Sequence, residues 1–116
     1  STVNAGGAGF DYDISTRALP FPADGSGTLC FDHRRDPSAP WLGQTWGRVR
    51  VDRADGSYVG GAYYSPGVDW SETCFDVTAT LATGEALVVN FGMYSQGAGV
   101  KQGTYFLDDV EVRLPN

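Results

Sequence analysis

An all-β sandwich of about eight short antiparallel strands is the fold this sequence predicts, and three observations predict it. Sixteen glycines and six prolines are scattered through 116 residues, so few segments could hold three helical turns without a breaker inside. Val, Thr, Tyr, Phe and Trp recur in short runs, the residue types that fit a pleated, half-buried surface. Turn chemistry separates those runs at the spacing of sandwich strands. The length suits a single domain, residues 1–116, able to bury a core without a metal or a partner.

Taken in order, residues 1–8 (STVNAGGA) are small and polar and read as a loose arm or first loop. Residues 9–12 are a candidate edge strand. Residues 15–27 contain Pro20, Pro22, Asp24-Gly25 and Ser26-Gly27 and read as loop. A strand over 28–34 ends at Asp36-Pro37-Ser38-Ala39-Pro40, and 41–46 is a short strand or a loop. Residues 47–52 alternate strictly, Val49 and Val51 inward against Arg48 and Arg50 outward. Ala54-Asp55-Gly56-Ser57 then has hairpin-turn chemistry. The strand over 57–64 is interrupted by Gly60-Gly61, which suits a bulge, and Ser65-Pro66-Gly67 is a turn. Residues 70–81 are the longest alternating run, with Trp70 outward or at an edge. In 85–94 the inward set is Leu87, Val89, Phe91 and Met93. Residues 95–101 are a Gly-rich loop, and 103–114 close the chain. In that last strand Phe106, Val110, Val112 and Leu114 share the better core face, and Asp108 shares their parity.

Charge and composition exclude several roles. Lys and Arg number 8 against 14 Asp and Glu, a net charge of −6. A protein that tracks nucleic-acid phosphates needs a basic surface, and so does one that binds anionic membranes. The longest apolar run, residues 86–89, has four residues and cannot span a bilayer. No N-terminal segment has the parts of a signal peptide, so the chain reads as a mature protein or an excised domain. His33 is the sole imidazole. It lies in Asp32-His33-Arg34-Arg35-Asp36, which reads as the solvated, charged end of a strand rather than the base of a triad. One His and two Cys do not make a zinc site. Asp24, Asp36, Asp52, Asp55 and Asp69 sit where turn chemistry accounts for them. The run 97–103 is a hairpin loop rather than a phosphate cradle.

By count alone the two cysteines fit one disulfide in a secreted protein or two free thiols. A Cys30–Cys74 bridge would close about 44 residues and stabilise the fold by about 4 kcal/mol. In both flanking strands the neighbouring Phe, Phe31 or Phe75, is the core residue.

Asp108 poses a question of its own. A carboxylate aimed into the core between Phe106 and Val110 costs several kcal/mol, roughly, unless paired or bound to a cation. A bulge that turns it outward, backbone N–H donors, an Arg partner such as Arg17, or a calcium ion would each resolve this. Calcium is the sharper expectation, because hard oxygen ligands from several strands suit it.

The segment Phe106-Leu107-Asp108-Asp109-Val110-Glu111-Val112 resembles the closing strand of carbohydrate-binding modules of the family 4, 9 and 22 type. Ser26-Gly27-Thr28-Leu29-Cys30 is similar to that group's Gly-x-Leu-Cys stretch, and Gly9-Phe10-Asp11 to its Gly-x-Phe-Glu/Asp opening. Those modules are jelly-roll sandwiches attached to secreted polysaccharide-degrading enzymes. The resemblance implies a structural calcium held by the carbonyls of Gly9 and Gly27 and the carboxylate of Asp108, with Asp11 a further ligand. It also implies a non-catalytic, secreted, monomeric module within a larger enzyme, with a sheet face that takes one glycan chain.

The aromatic residues supply candidates for that face. Sugars present apolar C–H faces to Trp and Tyr, and hydroxyls to Asn, Gln, Asp and Arg. Trp41, Trp46, Tyr58, Tyr63, Tyr64, Trp70 and Tyr94 are the rings available. The expected ligand set is Trp41, Trp46, Arg48, Arg50, Asn90 and Tyr94, since Asn90, Gly92 and Tyr94 share an outward parity and the Arg pair alternates outward. The polymer could be β-1,3-glucan, cellulose, xylan or an acidic glycan, with the two Arg tilting toward the last. A structural or adhesive spacer without sugar affinity is the alternative. A small polysaccharide-active enzyme using Arg48, Arg50, Tyr63 and Tyr64 as a basic cleft is the least favoured reading.

Overall fold

The computed structural model describes residues 2–4, 10–11, 16–20, 26–38, 45–78, 86–95 and 103–113, with side chains described for 27–38, 45–77, 86–94 and 103–113. Within them the chain is an all-β sandwich. Its segments are β1 (Thr2–Asn4), β2 (Phe10–Asp11), β3 (Thr16–Pro20), β4 (Ser26–Arg35), β5 (Thr45–Arg53), β6 (Tyr58–Tyr64), β7 (Ser71–Thr78), β8 (Ala86–Ser95) and β9 (Thr104–Arg113). Six of these are long, and β1 to β3 are short. All pairings are antiparallel. One sheet has the order β1-β9-β4-β7, and the other β6-β5-β8 with β2 and β3 both along the far edge of β8. No helix among the described residues is long and apolar enough to cross a membrane.

Alternation along the strands builds one core between the sheets. Leu29, Phe31, Val77, Tyr105 and Leu107 come from the first sheet, and Val49, Val51, Leu87, Val89, Phe91 and Met93 from the second. Phe31 sits at the centre, edge-on to Tyr64 at 4.9 Å and to Phe91 at 5.1 Å between ring centroids. Such contacts add to plain burial. Tyr64 packs flat on Gly47, where a Cβ would overlap its ring. Its hydroxyl donates to the Tyr105 hydroxyl, which donates in turn to the Gly92 carbonyl at 2.7 Å. Two buried phenols are thereby satisfied across the sandwich. Burial pushes both well above the usual tyrosine pKa.

Cys30 and Cys74 are bridged, directly opposite each other on β4 and β7 with Cα atoms 4.2 Å apart. Phe31 is buried and Phe75 half-buried, as their parity predicts. The turn after β5 follows its sequence chemistry too. Gly56 takes φ 89°, and Asp55 accepts bonds from the Ser57 backbone N–H at 2.9 Å and hydroxyl at 2.7 Å.

The structure corrects four expectations. Residues 2–4 are not a loose arm: β1 pairs with β9, Thr2 opposite Phe106. Residues 16–20 are not loop: β3 pairs with β8 from Thr16–Asn90 to Pro20–Ala86, and Pro20 is tolerated as the last residue of an edge strand. His33 is not solvated but 3% exposed. It shares parity with Leu29 and Phe31, stacks 4.8 Å from Tyr64 and lies with Nε2 2.7 Å from the Thr73 hydroxyl. Burial lowers its pKa. The fourth correction concerns the inward face of β9. Cys30 pairs with Glu111 and Asp32 with Asp108, so Asp109 and Val110 together oppose Phe31 alone. This is a β-bulge, with Asp109 at φ 52°. Before it Tyr105 and Leu107 point inward; after it Val110 and Val112 pack on the core. Asp108 and Asp109 are both exposed, so Asp108 does not face the interior.

Candidate functional site

The bulge also decides the expected calcium ligands. Gly27 lies opposite Val77, whereas Asp108 lies opposite Asp32, five residues further along β4. That offset is about 16 Å of extended chain, against a ligand reach of roughly 2.3–2.6 Å. The Asp108 carboxylate instead accepts the N–H of Asp109 at 2.9 Å. Asp11 lies on β2 opposite Met93, in the other sheet, and Gly9 lies outside the described residues. Gly27 and Asp108 therefore cannot serve one ion, and this ligand set does not fit a single calcium. Cys30, Glu72 and Cys74 converge elsewhere, but both sulfurs are spent in the disulfide.

The sugar-platform residues fare differently. On β5 the outward positions are Trp46, Arg48, Arg50 and Asp52. Trp46 is opposite Tyr94 of β8. Arg48 lies between Tyr63 of β6 and Gly92 of β8. Arg50 lies between Gly61 and Asn90, and Asp52 between Tyr58 and Val88. Five of the six expected ligand residues thus share one sheet face: Trp46, Arg48, Arg50, Asn90 and Tyr94. Trp41 lies outside the described residues.

Contacts within the face order it. The Trp46 and Tyr94 rings stack at 6.0 Å and 27°, and Tyr63 joins Tyr94 at 5.4 Å. The Arg48 guanidinium lies 4.9 Å over Tyr63, and that of Arg50 lies 5.2 Å over Tyr58. Both tyrosines are 53% exposed, so their rings support the cations from a wet surface. Arg50 donates from Nε to Asp52 at 2.8 Å, and Asn90 donates to the other Asp52 oxygen at 3.3 Å. Gly61 leaves the Arg48 guanidinium room to lie down, because a Cβ there would overlap Arg48 Nη1 and crowd the Val49 carbonyl. The face is therefore a three-ring platform at one end, Tyr58 at the other, and charged and amide groups between them.

Tyr58, Tyr63 and Asp52 were not in the expected ligand set, and hairpin register was the signal that could have found them. Counting back from Asp55-Gly56 puts Tyr63 opposite Arg48. The bulge at Val59, one residue before Gly60-Gly61, brings Tyr58 onto the same face. Asp52 reads as a turn acid, but it is the last outward residue before the turn. Trp70 belongs to neither core nor platform. It is 51% exposed just before β7, with Arg34 stacked between it and Phe106 at 5.5 and 5.1 Å.

The outward face of the first sheet is acidic by contrast. It carries Asp32, Glu72, Asp76, Asp108, Asp109 and Glu111 against Arg34 and Arg113. Arg113 donates to Glu72 and Glu111, each at 2.7 Å, beside the disulfide. The Asp32 carboxyl, and after it the Asp108 charge, raise the Asp109 pKa above its ordinary value.

Comparison with known protein families and with curated proteins returns no match to this chain.

Proposed function

We propose that this protein is a non-catalytic, secreted glycan-binding module. One observation carries the reading: Trp46, Tyr63 and Tyr94 form a continuous ring surface on an outward sheet face, next to Arg48, Arg50, Asp52 and Asn90. Rings of this kind stack on the apolar faces of sugars, while the polar groups beside them hydrogen-bond hydroxyls. The disulfide fits an oxidising compartment. The resemblance of the closing strand to carbohydrate-binding modules points to the same function, although the calcium ligands it implied do not come together. Attachment to a polysaccharide-degrading enzyme rests on that resemblance alone.

Tyr94→Ala and Tyr63→Ala test the reading. Affinity electrophoresis in gels containing soluble polysaccharide should show binding weakened about tenfold by either change, close to 1.4 kcal/mol. Thermal melts should stay near those of the parent, since both rings lie outside the core. Unchanged retardation in both variants would leave the structural or adhesive spacer as the better account.

A further inference from the structure

We propose that the glycan held on this face is anionic, carrying carboxylate or sulfate groups that Arg48 and Arg50 recognise. The proposal rests on the glycan-binding reading and adds the charge of the ligand to it. The chain has only eight Lys and Arg, yet two stand on successive outward positions of β5, in the middle of the ring platform.

Their geometry is that of recognition groups rather than solvated surface charges. Each guanidinium is stacked on a half-exposed tyrosine, at 4.9 and 5.2 Å. A planar, stacked guanidinium is already ordered, so little freedom remains to be lost when an anion docks. A neutral sugar laid across this row would strip the remaining water from Arg48, whose Nη1 donates to the Val49 carbonyl, and from Arg50, paired with Asp52, and bring no charge of its own. A carboxylate or sulfate replaces that water with short, charge-assisted hydrogen bonds.

The charge distribution agrees. Among the described side chains of the platform two guanidiniums face a single carboxylate, Asp52. On the outward face of the other sheet six carboxylates stand against two guanidiniums. The shortest extent of the molecule is 19 Å, about twice the screening length at physiological salt. A polyanion approaching the platform is therefore largely shielded from the acidic side, and the net charge of −6 does not oppose binding there.

The test is titration of the whole chain with polygalacturonate, dextran sulfate, barley β-glucan and poly-glutamate, at about 150 and about 1000 mM salt. At low salt at least one anionic glycan should bind tenfold or more tighter than β-glucan, and that preference should collapse at high salt. Which of the two binds identifies the recognised group as carboxylate or sulfate. Arg48→Gln, checked by its melt, should lose most of the preference; the salt response of the parent protein gives a readout that needs no variant. β-Glucan bound as tightly as both anionic glycans, without salt dependence, would overturn the charge assignment and leave the glycan reading standing. Poly-glutamate bound as tightly as the best glycan, or no polymer bound at all, would remove both.

Discussion

Asp109 takes φ 52°, a left-handed conformation that Gly, Asn and Asp adopt with less cost than other residues. It also crowds Asp32, Asp108 and Glu111, and its raised pKa records that crowding. A carboxyl whose pKa is raised by folding favours the folded state while protonated. That favour is complete below the ordinary carboxylate pKa and is lost as pH rises through the raised value. At neutral pH the fold therefore bears the repulsion. Asp109→Asn should raise the melting temperature at pH 7, and the gain should shrink toward zero as the pH is taken below the ordinary carboxylate range. Melts of both proteins across that range check this; a gain that stays constant in acid would refute the electrostatic origin. The same residue shows where sequence reading stopped. Asp108 and Asp109 alternate like any strand pair on paper, and only the ladder reveals that two residues of β9 share one partner. The outward turn of Asp108 was among the resolutions open from the sequence, but nothing local selected it over an ion.

Strands and their pairings were the more legible level. Period-two patterning placed β4 to β9 within a few residues, and it separated Val49 and Val51 from Arg48 and Arg50 because one face of each strand is buried. It failed at β1 and β3, whose partners are distant in sequence and whose own residues carry weak strand signals. The Gly60-Gly61 pair offers a test at this level. Gly60 has open space at its Cβ position, whereas a Cβ on Gly61 would overlap Arg48 Nη1 and crowd the Val49 carbonyl. Gly60→Ala should change stability by no more than about 0.5 kcal/mol. Gly61→Ala should cost about 1–3 kcal/mol by urea unfolding, and it should weaken the proposed glycan binding severalfold by dislodging Arg48 from Tyr63. Equal effects at the two glycines would mean that Arg48 does not depend on that clearance.

At the scale of the molecule the platform and the disulfide lie on opposite outer faces. Removing the bridge with Cys30→Ser and Cys74→Ser together should cost about 4 kcal/mol, because a 44-residue loop is released in the unfolded chain. For a domain of this size that is a fall of about 15 °C in melting temperature, with the proposed glycan binding unaffected wherever the protein stays folded. An unmoved melt would show that the bridge adds nothing to the fold. Which cysteine partnered which was legible, since there were only two. Which aromatic rings were exposed was not, because Tyr63 and Tyr64 differ in fate only through register. The Tyr105 hydroxyl on the Gly92 carbonyl has a mechanical consequence as well. If the platform holds a polymer as proposed, a pull on that polymer tugs on β5 and β8, and this bond hands part of the load to β9 in the opposite layer. β9 lies against β4, which is riveted to β7 by Cys30–Cys74. Tension applied at one surface is thus shared through the thickness of the sandwich instead of peeling its loaded layer away.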